Sequence, residues 1–146
     1  MTATFKNLLV AYDDSEYSKK ALETVKELSE KFEVTVTLLH AYEPLYAAYG
    51  YHMSPSISEE IRHTMHEQST AMLEAAKNNL LQAGIKADTA SIIGHPGETI
   101  VDTAEKMNAS MIIMGGRGLG AVKSLLMGSV SSYVLHHSKV PVFVVH

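Results

Sequence analysis

The stretch Ser110-Met111-Ile112-Ile113-Met114-Gly115-Gly116-Arg117-Gly118-Leu119-Gly120 runs from an unbroken apolar segment straight into a loop of glycines. A short apolar run bounded by turn formers reads as a strand buried on both faces, because a helix needs more length and a 3.6-residue period. The same signal recurs on either side. Leu8-Leu9-Val10-Ala11-Tyr12 is apolar and gives way to Asp13-Asp14-Ser15; residues 34–41 and 140–145 are rich in β-branched side chains; residues 87–93 form a weaker strand. Between these runs lie four amphipathic stretches. Residues 16–32 place Tyr17, Ala21, Val25, Leu28 and Phe32 on one face, with Asp13, Asp14 and Ser15 as cap candidates. A second helix, capped by Ser58, runs to about residue 82 with Ile61, Met65, Met72, Ala76 and Leu80 inward, and Gly84 stops it. Pro96-Gly97 opens a third to about residue 107, with Ile100, Val101 and Ala104 inward, and residues 128–137 form the fourth.

Strands and helices therefore alternate as βαβαβαβαβ. That order predicts one α/β domain spanning residues 1–146, an open parallel five-stranded sheet with helices on both faces, joined by right-handed crossovers. In such sheets a ligand binds beyond the carboxyl ends of the strands, where the strand order reverses. The candidate ends are Tyr12-Asp13, His40-Ala41, Ile93-Gly94 and Met114-Gly115.

Composition narrows the classes further. The chain has 146 residues, 46% hydrophobic and 19% charged, which supports a sizeable core and excludes intrinsic disorder. With no Cys, a disulfide scaffold, a thiolate metal site and a cysteine nucleophile are excluded. No apolar run approaches the ~18–20 residues that span a bilayer, and the first residues lack the pattern of a secretory signal, so a cytoplasmic location is expected. A net charge of −4 argues against nucleic acid as a partner. The charge is also uneven. No Asp or Glu follows Glu105, whereas Lys106, Arg117, Lys123 and Lys139 do. An acid-free tail suits core-rich sequence with a few surface bases, and it equally suits a region that must not repel an anion.

The glycine loop lies in that tail. Glycines let backbone N–H groups approach a ligand with no Cβ in the way. Further on, Gly128-Ser129 opens the last helix, where orphan N–H groups and the dipole favour phosphate, and Arg117 and Ser129 can add a charge and a hydroxyl. The alternative is a tight turn that needs glycine for packing alone. A Walker A loop is excluded, because Val122 rather than Gly precedes Lys123-Ser124. Gly116-x-Gly118-x-x-Ala121 matches a dinucleotide fingerprint only weakly, since it follows the fourth strand and no acid lies about 20 residues on.

Gly115-x2-Gly118-x9-Gly128-Ser129 resembles the nucleotide-binding signature of the universal stress protein family. Leu8-Leu9-Val10-Ala11-Tyr12-Asp13, Leu38-Leu39-His40-Ala41, Gly94-His95-Pro96-Gly97-Glu98, Gly128-Ser129-Val130-Ser131 and Val140-Pro141-Val142-Phe143-Val144-Val145 also fall in that family's order, although Asp14 stands where glycine is common. The resemblance implies a Rossmann-like fold of the adenine nucleotide α-hydrolase type and ATP as ligand, with Mg²⁺ carried in on its phosphates. It implies Asp13 at the ribose, Ala41 at the adenine, and Gly115, Gly118, Gly128, Ser129 and Val130 around the phosphates. Ala11, Tyr12, Met114, Arg117 and Ser131 complete the expected site. The family tends to dimerise through its last strand. An apolar edge at Val140 to Val145 independently invites a homodimer.

Phosphoryl transfer needs a positioned base and usually carboxylates for Mg²⁺. Only Asp13, Asp14 and Glu98 are candidates here, so the expectation is nucleotide binding in a stress or signalling role with at most slow hydrolysis. A weak ATPase and a chaperone-like scaffold are the alternatives. Among other candidates, His63 and His66 sit on one helix near Glu59, Glu60 and Glu67 and read as a solvated face rather than a metal site. His95 follows the third strand, His40 reads as a satisfied core histidine, and Tyr42, Tyr46, Tyr49 and Tyr51 are candidates for a lid over a base.

Overall fold

A computed structural model describes residues 5–44, 54–118 and 127–146. Nine elements alternate: β1 (Asn7–Ala11), α1 (Glu16–Ser29), β2 (Thr35–Tyr42), α2 (Pro55–Gln82), β3 (Lys86–Ile93), α3 (Pro96–Lys106), β4 (Met111–Gly115), α4 (Ser129–His137) and β5 (Val142–Val145). The five strands form one sheet in the order β3-β2-β1-β4-β5, and every pairing is parallel. This is the predicted architecture. Chain order reverses between β1 and β4, where the chain goes one way to β2 and β3 and returns on the other side.

β4 throughout, and β1 from Leu8 onward, are apolar because these strands lie centrally, with helices over both faces. On one face Leu8, Val10, Val36, Leu38 and Ile113 pack with Ala21, Val25, Leu73 and Leu80 from α1 and α2. On the other Leu9, Leu39, Ile112 and Met114 pack with Ile100, Ala104 and Val134 from α3 and α4. Alternation along each strand thus feeds two cores from one sheet.

Several boundaries differ from the sequence reading, each for a local reason. Helix α2 starts at Pro55 under a Ser54 cap, whose hydroxyl accepts from Ile57 N–H, not under Ser58. Proline at the first helical position has no N–H to lose and a preset φ. The inward face of α2 is Ser69, Leu73, Ala76 and Leu80, while Ile61, Met65 and Met72 are only half-buried. Helix α1 stops at Ser29, leaving Phe32 exposed and edge-on to Phe5 at 5.3 Å. β5 begins after Pro141, whose carbonyl already accepts from Ile112 N–H.

Candidate functional site

The turn from β1 into α1 gives each polar residue a separate task. Ser15 is the N-cap of α1 and accepts from Ser18 N–H at 3.2 Å. Asp13 braces the turn, its Oδ1 accepting from Ser15 N–H at 3.0 Å. Asp14 does not cap the helix. It sits at φ 66, the left-handed region, which explains why glycine suits this position. Its carboxylate accepts the Tyr12 hydroxyl at 3.0 Å and lies 3.7 Å from Lys19 Nζ. Burial above all, and then Asp14, pushes the Tyr12 hydroxyl far above its ordinary pKa, so it remains a donor.

Across the switch point, β4 leads into the glycine loop. A Cβ at Gly115 would lie 2.5 Å from Tyr17 Cβ and 3.0 Å from backbone atoms of Tyr17 and Arg117, so this glycine lets α1 lie against the end of β4. A Cβ at Gly118 would lie 2.5 Å from Asp13 Oδ2, so that glycine brings the loop against the Asp13 carboxylate. Gly128 meets only ordinary contacts of 3.4 Å or more. It is the N-cap of α4 and supplies no capping side chain. The first N–H groups of α4 have no intrahelical acceptor, and nothing from residue 128 blocks them. The loop and helix are locked together behind this opening: Gly128 N–H and the Ser131 hydroxyl both donate to Gly116 O, at 2.6 and 2.7 Å.

These pieces enclose a cavity of about 550 Å³ at the carboxyl ends of β1, β2 and β4, within the ~300–1,000 Å³ usual for small-molecule sites. All twelve residues expected at the site line it: Ala11, Tyr12, Asp13, Ala41, Met114, Gly115, Arg117, Gly118, Gly128, Ser129, Val130 and Ser131. Arg117 is the one Lys or Arg among the described lining residues, and it also lies over the Tyr17 ring at 5.8 Å. The floor is apolar, from Leu39, Met114 and Ile100.

Sequence reasoning missed Ser18, Leu39, Glu43, Pro96, Ile100 and Met127 as lining residues and assigned His40 to the core, whereas Tyr42, a lid candidate, does line the cavity. His40 and Tyr42 flank Ala41 in β2 and share the opposite sheet face. Their rings stack at 4.9 Å and 19°. His40 is indeed satisfied, by Ser69 Oγ at 2.7 Å from Nδ1, yet it faces the cavity as well. Burial lowers its pKa against the opposing pull of Asp13, which keeps the ring neutral.

Other expectations fall elsewhere. Among the described residues Glu98 is not on the cavity lining and Asp14 turns toward Tyr12, so Asp13 and Glu43 are the carboxylates that line it there. His95 caps α3, its Nδ1 accepting from Glu98 N–H. His63 pairs with Glu67 on the exposed face of α2, and the described residues contain no cluster of three His, Asp or Glu suited to a metal. Tyr46, Tyr49, Tyr51, Gly120, Ala121, Lys123 and Ser124 lie outside the described residues. Among the described residues no helix is long and apolar enough to cross a membrane.

A five-stranded parallel sheet with helices on both faces, and a cavity at its switch point walled by a glycine loop and an uncapped helix N-terminus, defines an open, doubly wound α/β protein. The universal stress protein family profile matches residues 4–146, and the chain belongs to that family. It is 29% identical to universal stress protein YxiE of Bacillus subtilis, over 97% of this chain and 99% of that one. It is 30% identical to universal stress protein MJ0577 of Methanocaldococcus jannaschii over 99% of this chain. The solved MJ0577 structure superposes with a TM-score of 0.88, covering 97% of this chain and 96% of that one. A universal stress protein solved in complex with cAMP shares the fold at a TM-score of 0.69 and 22% identity, covering 98% of each chain.

Proposed function

We propose that this protein binds an adenine nucleotide, ATP foremost, in the switch-point cavity and acts in stress response or signalling through its nucleotide-bound state. The observation that carries this reading is the pairing of the uncapped α4 N-terminus with Gly118 and Arg117 on one wall of a cavity whose other walls are Asp13, Ala41 and Tyr42. Phosphates at α4 would meet the N–H groups of Ser129 and Val130, the positive end of the helix dipole and Arg117. The Asp13 carboxylate, braced by Ser15 N–H, suits ribose hydroxyls, and the Ala41 backbone at the end of β2 suits the base edge. Gly115, Met114, Ala11, Tyr12, Gly128 and Ser131 shape the cavity between these points. A relative that holds cAMP supports a nucleotide in this fold.

Mg²⁺ would enter on the phosphates. Asp13 is the carboxylate against the glycine loop, and Ser129 lines the same wall, so these residues fit a hydrated ion. Neither forms a base poised for attack, which favours binding with at most slow hydrolysis. We further propose a cytoplasmic homodimer through β5. It is an edge strand with Phe143 44% exposed, and its free edge suits pairing with a second copy.

Isothermal titration of the nucleotide-stripped chain with ATP tests the binding. A saturable one-site heat is expected, and Gly118→Val with Gly128→Val should remove it while the fold survives. Unchanged affinity in that double variant would mean that the phosphates lie elsewhere.

A further inference from the structure

The turn between β1 and α1 is closed by a side chain. Asp13 Oδ1 accepts from Ser15 N–H at 3.0 Å, so this carboxylate stands where a backbone carbonyl would stand in a tight turn. The residue between acceptor and donor is Asp14, at φ 66. It takes the place that needs positive φ in a type II turn, where glycine or asparagine is usual. The other Asp13 oxygen, Oδ2, lies against the glycine loop, 2.5 Å from where a Gly118 Cβ would stand. Asp14 itself is not on the lining of that cavity. Its carboxylate takes the Tyr12 hydroxyl at 3.0 Å, lies 3.7 Å from Lys19 Nζ, and borders a separate groove between α1 and α2.

We propose that Asp14 is a positioning residue for the nucleotide: its left-handed backbone aims the Asp13 carboxylate at the ribose, and its side chain serves to hold that backbone. This rests on the nucleotide reading above, in which Asp13 meets the ribose hydroxyls.

The sign of φ at residue 14 sets which way the Ser15 amide faces. With φ positive it faces Asp13 Oδ1, and that bond selects the rotamer that leaves Oδ2 toward the glycine loop. With φ negative the amide turns away from that oxygen, and Asp13 loses the contact that selects its rotamer. A left-handed backbone is disfavoured for any residue with a Cβ, and Asp offsets this with a local hydrogen bond. Here the bond comes from Tyr12, whose hydroxyl keeps its proton. Glycine would reach the same backbone with no bond at all. Position 14 is therefore asked for a conformation and not for a charge. Ribose hydroxyls gain most from a carboxylate already in place, so the device acts on affinity through preorganisation.

Asp14→Ala and Asp14→Gly separate this from a merely structural role. Both lose the Tyr12 bond and the charge, but only glycine takes the left-handed backbone without strain. ATP and dideoxy-ATP, which lacks the two ribose hydroxyls, are titrated into the nucleotide-stripped full chain at a temperature where every variant is folded. Wild type is expected to prefer ATP by about tenfold, the size of hydrogen bonds to a placed carboxylate. Asp14→Ala should lose most of that preference, weakening ATP by about fivefold with dideoxy-ATP unchanged. Asp14→Gly should keep it. Exchange of the Ser15 amide in the nucleotide-free chain reads the turn directly, and should quicken in Asp14→Ala and not in Asp14→Gly. A preference that survives in Asp14→Ala, one that vanishes in Asp14→Gly as well, or equal weakening of both nucleotides overturns the proposal. So does a wild type that binds both alike, or Ser15 exchange that is the same in all three proteins. A wild type that binds neither nucleotide refutes the reading on which the proposal rests, which is a different failure.

Discussion

Replacing Gly115 by alanine should cost more stability than the same change at Gly118 or Gly128, although all three glycines belong to one spaced motif. The new methyl at Gly115 would stand 2.5 Å from Tyr17 Cβ and 3.0 Å from the Tyr17 carbonyl carbon and Arg117 O. Two of those atoms are backbone, so relief requires α1 to shift from β4 or the loop to reopen. Overpacking of a well-filled core costs about 1–3 kcal/mol, and backbone neighbours argue for the upper half, about 2–3 kcal/mol. For a chain of this size that is a fall in Tm of about 6–12 °C. At Gly118 the obstacle is the end of the Asp13 side chain, which can turn away, so a loss under about 1 kcal/mol is expected. At Gly128 the contacts are ordinary, and the cost is the poorer N-cap, again under about 1 kcal/mol. Thermal melts and urea unfolding of the three variants, nucleotide-free, give the order. Gly115→Ala within about 0.5 kcal/mol of wild type would refute the claim that helix packing demands this glycine.

Ser131→Ala should cost about 1 kcal/mol in urea unfolding, because the buried hydroxyl that ties α4 to Gly116 O is lost. Asp14→Gly should be close to neutral, since relief of the positive φ offsets the lost Tyr12 hydrogen bond, whereas Asp14→Ala keeps the strain, loses the bond and should cost about 1–2 kcal/mol. The His40 ring resists protonation when folded, so the unfolded chain binds more protons below its ordinary pKa of 6.5. Stability should therefore fall as pH drops below about 6.5, by at most about 1.4 kcal/mol per unit from this group, and the wild type minus His40→Gln difference isolates it. Phe143→Lys on β5 should turn a dimer into a monomer in sedimentation velocity while leaving the melting curve cooperative.

The alternation of apolar runs and amphipathic stretches carried the architecture, because strands buried on both faces leave little freedom in what they are. Helix starts were less legible. Ser54-Pro55 reads as the end of a loop, and the first turns of α2 bury so little that no apolar period marks them. The turn after β1 offered Asp13, Asp14 and Ser15 as caps, with Asp14 favoured; the left-handed backbone at Asp14 and the Ser18 N–H bond to the Ser15 hydroxyl decide for Ser15. At the site, the glycines and strand ends were readable because backbone exposure and topology are written locally. His40 was not, since its place in an apolar strand reads as core and its partner Ser69 is remote in sequence. The reason for Gly115 was hidden too: its neighbour Tyr17 is remote in sequence and meets it only when α1 packs on β4.

A titration of ¹⁵N-labelled, nucleotide-stripped protein with ATP tests the central claim most directly. Saturable shifts should concentrate on the amides of Asp13, Ala41, Gly115, Gly118, Gly128, Ser129 and Val130, with the outer face of α2 undisturbed. No saturable change, or shifts gathered away from the carboxyl ends of β1, β2 and β4, would contradict it.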